Sequence, residues 1–386
     1  MKQKLPLKIL TGFLFLILLA IGFVLAVRKP LWNDEIFTQT RNIDQASYAA
    51  ILTGKIVEGN NCPIFYLIQK GVCDLVQYRF PKVWDSREWE FSDLRSQLIL
   101  RIMPNIFTAG TLAIIFYFFA RYYSFGAGVY GLLVALSSLM VWGYWVEARP
   151  YPLWFFLTIV QSMLFILLMR KEFQQERLWA WLTLVNILLS LTVIFGVVQT
   201  LLISFLLYVW LEKRPGKYLW FAAVPTVISL FYYFQTLKLK FFVPDHPMNL
   251  IYANLPLDRA LIFLFFGIVL GVYSFKKRQK TQPVDFGESR PYFVFSLMMI
   301  ATALGFLLIF KLIQPLSQEG VFQLPHRYFF YLTPVGILSV TVFSIYLLRI
   351  FKGQLWMTIN CVIFLGGMLV IRILKTFYEL SQQGPY

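Results

Sequence analysis

The sequence predicts an all-α polytopic membrane protein, a bundle of about eleven transmembrane helices with one long loop outside the membrane. Composition is the first observation, because 59% of the 386 residues are hydrophobic and only 14% are charged. The second is that the apolar residues form runs long enough to cross a bilayer core of roughly 30 Å. Backbone groups inside a bilayer find no water, so such runs must be helices. Together these observations exclude a soluble domain.

Continuous apolar length and charged flanks define the predicted spans. They are residues 9–27, 98–119, 125–141, 151–169, 178–195, 197–211, 218–237, 258–275, 292–313, 328–348 and 355–373. Only Gly196 separates the fifth span from the sixth.

The basic residues predict the orientation of the bundle. Much of the positive charge lies before the first span and in alternate short loops, at Lys2, Lys4, Lys8, Arg170, Lys171, Lys213, Arg214, Lys217, Lys276, Lys277, Arg278, Lys280, Arg349 and Lys352. Cytoplasmic loops are the ones that collect lysine and arginine, so these loops and the N-terminus are predicted to be cytoplasmic. The net charge of +16 therefore indicates topology and not a nucleic-acid partner.

The whole chain, residues 1–386, is predicted to be a single integral domain of the plasma membrane. Residues 28–97, 142–150, 238–257 and 314–327 then lie outside the cell, and the polar segment 279–290 is a cytoplasmic linker. Arg372 and Lys375 fall on the outer side, which leaves the orientation of the last span open. An alternative for residues 1–27 is a signal peptide cleaved after Val24-Leu25-Ala26.

The long outer loop 28–97 is predicted to carry interfacial helices. Asn42 or Asp44 is suited to cap a short helix that runs to Thr53 and ends at Gly54. A second helix begins at Pro63, where apolar residues recur at helical spacing with polar residues on the other face. We expect this helix to lie along the membrane surface. Residues 79–97 mix aromatic and charged side chains, which is typical of an interfacial cover.

Asp34 and Glu35 form an acidic pair just beyond the first span. A carboxylate at the interface, shielded by neighbouring aromatic residues, is suited to accept a proton from a substrate hydroxyl. Adjacent side chains point in different directions, so only one of the two is expected to do this. The alternative is that the pair is simply a solvated helix end.

Two further outer segments carry arginine beside a span. Residues 147–151 read Glu-Ala-Arg-Pro-Tyr, and residues 325–328 read Pro-His-Arg-Tyr. Arg149 is suited to bind a phosphate, with Glu147 orienting the site, or else the two residues pair at the interface. Arg101, near the outer start of the second span, is either a third cation or a residue that snorkels along the lipid face.

In this order, the motifs resemble those of the GT-C glycosyltransferases. The resemblance covers residues 10 to about 350 and is closest to the protein O-mannosyltransferase-like and aminoarabinose-transferase-like enzymes. It rests on the acidic pair, Pro63-Ile64-Phe65-Tyr66-Leu67, Leu100-Arg101-Ile102-Met103-Pro104, Glu147-Ala148-Arg149-Pro150-Tyr151 and Arg327-Tyr328. Two departures put the sugar and the acceptor in doubt. Cys62 stands where the loop motif usually has a proline, and Thr192-Val193-Ile194-Phe195 stands where a His-Tyr pair is usual.

The resemblance implies a GT-C fold and an inverting hexosyl- or pentosyltransferase that acts in glycosylation at the cell envelope. The donor would be a polyprenyl-phosphate sugar and the acceptor a lipid, glycan or protein on the extracytoplasmic face. Asp34 matches the candidate base and Glu35 its supporting neighbour. The expected substrate-binding residues are Arg101, Glu147, Arg149, Tyr151, His326, Arg327 and Tyr328.

No cofactor and no metal cluster is expected, although acidic pairs on outer loops bind divalent cations weakly. The rival interpretation is a transporter or flippase of lipid-linked or small-molecule cargo. Transporters usually carry ionisable side chains or broken helices near the midplane. Residues 151–169, 178–195 and 355–371 contain no Asp, Glu, Lys or Arg, and this favours chemistry at the outer surface over transport. A non-catalytic scaffold or a degenerate transferase is the third alternative.

Overall fold

The structure is a computed structural model, and it describes residues 4–56, 63–81, 90–170, 176–210, 218–236, 242–244, 289–313, 322–324, 330–350, 370 and 373–374. The expected span 258–275 lies outside these residues. So does the expected span 355–373, apart from residues 370 and 373. The expected linker 279–290 lies outside them as far as residue 288, and its last two residues belong to a helix.

Helices dominate the described residues. They are α1 (Lys4–Arg28), α2 (Asn33–Phe37), a π-helix (Thr38–Asp44), α3 (Tyr48–Leu52), α4 (Pro63–Leu75), α5 (Leu94–Tyr122), α6 (Phe125–Leu136), α7 (Leu139–Tyr144), α8 (Tyr151–Leu168), α9 (Glu176–Ser190), α10 (Ile194–Trp210), α11 (Tyr218–Thr236), α12 (Ser289–Ile313) and α13 (Leu332–Ile350). The described residues also include four short strands, which form two separate pairs: β1 (Leu31–Trp32), β2 (Glu90–Phe91), β3 (Phe242–Pro244) and β4 (Phe322–Leu324).

Three helices in the described part of the chain are long and apolar enough to cross a membrane: α1, α5 and α8. The 25 residues of α1 and the 29 of α5 exceed the roughly 20 that a bilayer core requires. Helix α8 is enclosed by its neighbours, whereas the side chains of Phe13 and Leu16 on α1 are largely exposed. An apolar side chain on the outside of such a bundle is in the position that faces lipid.

The predicted span 125–141 is not one helix. Helix α6 ends at Leu136, and α7 begins at Leu139 after a break at Ser137 and Ser138. The Ser137 hydroxyl donates to the carbonyl of Val134 at 2.8 Å and competes with the helical hydrogen bonds there. The break between the fifth and sixth spans also lies earlier than expected, at residues 191–193.

Helices α1 and α5 pack closely because Gly22 has no side chain. Asn105 on α5 donates to the carbonyl of Leu19 at 2.9 Å and accepts from Trp145 Nε1 at 3.1 Å. A Cβ on Gly22 would overlap Asn105 Oδ1 and lie 2.7 Å from Trp145 Nε1. The glycine therefore permits a polar contact between the first span and the segment that precedes α8.

We expect Gly22→Ala to destabilise the protein by roughly 1–3 kcal/mol, because the added methyl group overpacks this contact. Gly12→Ala is the matched control, since a Cβ at Gly12, on the same helix, meets nothing within 4 Å. Thermal unfolding of both variants in detergent measures the difference. Equal unfolding temperatures for the two variants would contradict the proposed close contact.

Uncharged polar side chains join α8, α9 and α10 inside the bundle. Gln161 Nε2 donates to Asn186 Oδ1 at 2.8 Å, and Trp154 Nε1 donates to Gln199 Oε1 at 2.9 Å. Gln199 Nε2 also donates to Thr158 Oγ1 at 3.2 Å. Such bonds between buried helices each contribute about 0.6 kcal/mol and fix how the helices face one another.

The described part of residues 29–93, here called the cap, is folded around a small core of its own. Strands β1 and β2 pair antiparallel, with Leu31 opposite Phe91. The apolar side chains of this core are Leu31, Ile36, Cys73, Tyr78 and Phe80, packed with Leu100 of α5 and Ala148. The cap is therefore attached both to the second predicted span and to the segment before α8.

The first cap helix begins later than predicted. This helix is α3. Neither Asn42 nor Asp44 is its N-terminal capping residue, because both belong to the π-helix of residues 38–44, and Ser47 has that role instead. The Ser47 hydroxyl accepts from the backbone N–H of Ala50 at 3.1 Å. The end of the helix agrees with the prediction, since Gly54 follows it with φ of 69°.

The second cap helix, predicted to begin at Pro63, is confirmed as α4, and two residues of its predicted polar face are buried. Gln69 Nε2 donates to the carbonyl of Leu100 at 2.9 Å, and Lys70 Nζ donates to the carbonyl of Ile43 at 3.3 Å. Leu75, by contrast, is 84% exposed. Leu67 and Ile68 of the predicted apolar face pack against the main core, so the position of this helix along a membrane surface stays a prediction.

Strands β3 and β4 pair in parallel, with Phe242 opposite Phe322 and Pro244 opposite Leu324. They belong to two of the segments predicted to lie outside the membrane, 238–257 and 314–327. The pairing requires both strands to be at the same side of the bundle, as that prediction needs.

Candidate functional site

Glu35 and Arg101 form a buried, two-point ion pair. Arg101 Nε lies 3.0 Å from Glu35 Oε1, and Arg101 Nη2 lies 2.6 Å from Glu35 Oε2. Both side chains are enclosed completely. Two parallel N–H···O contacts are the strongest geometry that arginine and a carboxylate adopt. The alternative that Arg101 snorkels along the lipid face is therefore wrong, and its partner is a carboxylate 66 residues earlier in the chain.

The Arg101 guanidinium also donates hydrogen bonds to backbone carbonyls at the C-terminal end of α1 and just beyond it. Arg101 Nη1 donates to the carbonyls of Ala26, at 3.1 Å, and Lys29, and Nη2 donates to that of Pro30 at 2.7 Å. Carbonyls at a helix C-terminus have no helical partner and carry partial negative charge, so a cation there satisfies both requirements. Arg101 thus fixes the point where the chain leaves α1 and enters α2.

Glu35 also accepts hydrogen bonds from two backbone N–H groups. Ala148 N–H donates to Glu35 Oε1 at 2.7 Å, and Trp32 N–H donates to Oε2 at 3.2 Å. Burial by itself raises the pKa of Glu35, but Arg101, the charge of Lys29 and the hydrogen bond from Ala148 together outweigh burial and hold the pKa below its usual value of 4.5. Glu35 is thus an ionised side chain that joins α2 to the 145–150 segment.

Asp34 points to the other side of α2 and contacts a second arginine. Arg149 Nη1 lies 3.3 Å from Asp34 Oδ2 and also donates to the Asp34 carbonyl at 3.3 Å and to Thr38 Oγ1 at 3.4 Å. The Arg149 side chain is only 4% exposed, whereas that of Asp34 is 28% exposed. Asp34 is accordingly the more exposed member of the acidic pair.

The segment 145–150 brings Arg149 to this position. The Thr108 hydroxyl of α5 donates to the carbonyl of Trp145 at 2.9 Å, and Pro150 precedes the first residue of α8. The side chain of Glu147 is buried, and its backbone carbonyl accepts from Arg149 N–H at 2.7 Å. The predicted motif of residues 147–151 therefore forms a tight turn between α7 and α8 beside the acidic pair.

Aromatic rings surround the arginine. The Arg149 guanidinium carbon lies 5.9 Å from the centre of the Tyr151 ring, a cation–π distance. The Tyr151 ring in turn lies 4.8 Å from that of Tyr144 and 5.9 Å from that of Phe330. Because Phe330 begins the segment that leads into α13, these ring contacts place that segment next to Tyr151.

Five of the expected substrate-binding and catalytic residues thus come together with Arg101: they are Asp34, Glu35, Glu147, Arg149 and Tyr151. The remaining three, His326, Arg327 and Tyr328, lie outside the described residues. Within the described part of the chain, no group of three or more His, Cys, Asp and Glu side chains is suited to hold a metal ion.

Sequence reasoning missed Thr38 and the π-helix that it begins. The Thr38 side chain is buried and contacts Arg149, and the helix ends where Gln39 Nε2 donates to Asp44 Oδ1 at 2.7 Å. π-Helices are rare and are frequently found at functional sites.

No protein-family model matches this chain, and no curated protein matches it significantly.

Proposed function

We propose that this protein is a membrane glycosyltransferase. It transfers a sugar from a polyprenyl-phosphate donor to a hydroxyl group of a lipid, glycan or protein acceptor on the extracytoplasmic face. The observation that carries the proposal is that the two acidic residues have different environments. Glu35 is buried against Arg101, while its neighbour Asp34 is accessible and lies 3.3 Å from a second arginine, Arg149.

A sugar phosphate already has a good leaving group, so the protein needs to position the acceptor, take its proton and stabilise the departing phosphate. The acceptor oxygen attacks the anomeric carbon as the bond between that carbon and the phosphate oxygen breaks. The phosphate leaves with the bonding electron pair, and the acceptor proton passes to Asp34. A general base in this role is worth roughly 10²- to 10⁴-fold in rate.

Arg149 is the proposed cation for the phosphate. Its guanidinium stays positively charged at any physiological pH and offers donors in a planar fork that matches phosphate oxygens. His326, Arg327 and Tyr328 are proposed to complete the donor site, with Glu147 and Tyr151 orienting Arg149. The aromatic rings around Phe330 continue from this point into the bundle, where a prenyl chain would lie.

Glu35 and Arg101 are positioning residues in this proposal. They hold the end of α1, the start of α2 and the turn at Ala148 in one arrangement. Since Asp34 and Arg149 lie on α2 and next to that turn, the buried pair sets the distance between the proposed base and the proposed phosphate site.

We expect Arg149→Ala to weaken use of the donor much more than use of the acceptor. A charge-assisted contact to phosphate contributes about 1.5–3 kcal/mol, which corresponds to roughly a 10- to 150-fold rise in the donor KM. Steady-state kinetics with each substrate varied in turn measure this. Arg79→Ala is the matched control, because Arg79 is an exposed arginine of the cap, paired with Asp74 at 2.8 Å. Equal losses for donor and acceptor would indicate misfolding instead.

A further inference from the structure

The two neighbouring carboxylates hold their arginines in different ways. Glu35 makes two contacts with Arg101, at 2.6 and 3.0 Å, and is completely enclosed. The contact between Asp34 Oδ2 and Arg149 Nη1 is 3.3 Å long, and the Asp34 side chain is 28% exposed. Charge-assisted N–H···O bonds are normally about 2.7–2.9 Å long. The first pair is therefore a tight structural contact, and the second is a loose one.

The loose pair joins the two groups that the proposed reaction needs apart. Asp34 Oδ2 must contact the acceptor hydroxyl to take its proton, but it faces Arg149 Nη1. Arg149 must contact the donor phosphate, but the same nitrogen is shared among Asp34 Oδ2, the Asp34 carbonyl and Thr38 Oγ1. These contacts of Arg149 Nη1 with the described residues are 3.3 to 3.4 Å long, so a phosphate that offers shorter contacts can compete with them.

We infer that the Asp34–Arg149 ion pair is a gate opened by an anionic phosphate. The phosphate of a lipid-linked donor takes Arg149, and Asp34 Oδ2 then becomes available to the acceptor. Substrates therefore bind in order, donor before acceptor. This inference rests on the proposed function and adds a regulatory step to the same site.

Thermodynamic linkage makes the gate measurable without knowing the sugar or the acceptor. If phosphate binding must break the contact with Asp34, then removing the Asp34 carboxylate must tighten phosphate binding by the free energy of that contact. A partly exposed ion pair changes an equilibrium constant by up to about fivefold, and burial of one partner strengthens the attraction. The expected gain in affinity is roughly three- to tenfold.

The experiment measures binding of farnesyl phosphate to the purified full-length protein in detergent, for wild type, Asp34→Asn, Asp93→Asn and Arg149→Ala. Asp93→Asn is the matched control for charge. It removes one carboxylate from the same outer segment but keeps a side chain able to cap α5, where Asp93 Oδ2 accepts from Ser96 N–H at 2.9 Å. Farnesol tests for binding through the chain alone, and inorganic phosphate tests whether the lipid is needed.

Asp34→Asn is expected to bind farnesyl phosphate roughly three- to tenfold more tightly than wild type. Asp93→Asn should bind it with wild-type affinity, and neither substitution should change the affinity for farnesol. Unchanged or weaker binding by Asp34→Asn, or equal tightening by Asp93→Asn, would overturn the gate. Asp34→Ser, which also removes the carboxylate, decides the matter if the Asn variant does not fold. Binding by wild type that does not depend on Arg149 would instead overturn the proposed phosphate site, so the two failures are distinguishable.

Discussion

Asp34→Asn is expected to abolish sugar transfer while leaving the protein folded. The amide has the shape of the carboxylate but cannot take the acceptor proton, so the rate should fall roughly 10²- to 10⁴-fold. Stability should change little, because Asp34 is partly exposed and its pair with Arg149 is loose. Transfer from radiolabelled polyprenyl-phosphate hexoses and pentoses to a membrane lipid extract, in proteoliposomes, measures the rate.

Asp93→Asn provides the comparison for Asp34→Asn in that assay, because it also replaces an outer carboxylate by an amide. It should retain full activity and the same unfolding temperature. Turnover at the wild-type rate in Asp34→Asn would remove Asp34 from the role of base. A large fall in its unfolding temperature would show that Asp34 has a structural role and that the lost activity says nothing about chemistry.

The sequence predicted well those parts of the cap that depend on short-range patterns. Proline at the first helical turn and apolar spacing predicted α4, which begins at Pro63. Glycine after the first cap helix predicted its end, since Gly54 adopts a left-handed backbone conformation that disfavours other residues. Both signals act within one or two turns of the chain, and no distant contact has to be known to interpret them.

The parts that failed depend on contacts between distant segments. Helical periodicity marked Gln69 and Lys70 as a polar face of α4, yet both are buried, because carbonyls of Leu100 and Ile43 accept their hydrogen bonds. The start of the first cap helix failed for the same reason. The π-helix there is held by contacts of Asp44 with Phe80, 36 residues later, and no local pattern in the sequence contains that information.

In the candidate site, too, only the features that depend on neighbouring residues could be predicted from the sequence. Adjacency was enough to predict that Asp34 and Glu35 point in different directions, and the structure confirms that they contact different arginines. Arg101 was ambiguous, because a cation near a membrane end is equally compatible with lipid, a ligand or a buried partner. Only the fold brings it to Glu35, and this contact decides which of the two carboxylates is left accessible.

Glu35→Gln is expected to have the largest effect on stability, because it leaves the Arg101 charge buried without a carboxylate. Breaking one side of a buried pair costs roughly 3–5 kcal/mol, because the other charge is left uncompensated. The double variant Glu35→Gln, Arg101→Gln removes both charges and keeps side chains that can hydrogen-bond to the neighbouring backbone groups, so it should be more stable than Glu35→Gln alone. Thermal unfolding of the single and double variants in detergent measures this coupling.

The pH dependence of folding stability provides a second test of the Glu35–Arg101 pair. The pKa of Glu35 is lower in the folded protein than its usual 4.5, so the ionised pair stabilises the fold fully above that value. Its contribution is lost as the pH falls from 4.5 through the folded pKa. The wild-type protein should lose stability in that acidic window, and the double variant should lose less. If both lose stability equally there, or if the double variant is as unstable as Glu35→Gln, then Arg101 owes its position to the carbonyls of Ala26, Lys29 and Pro30 rather than to Glu35.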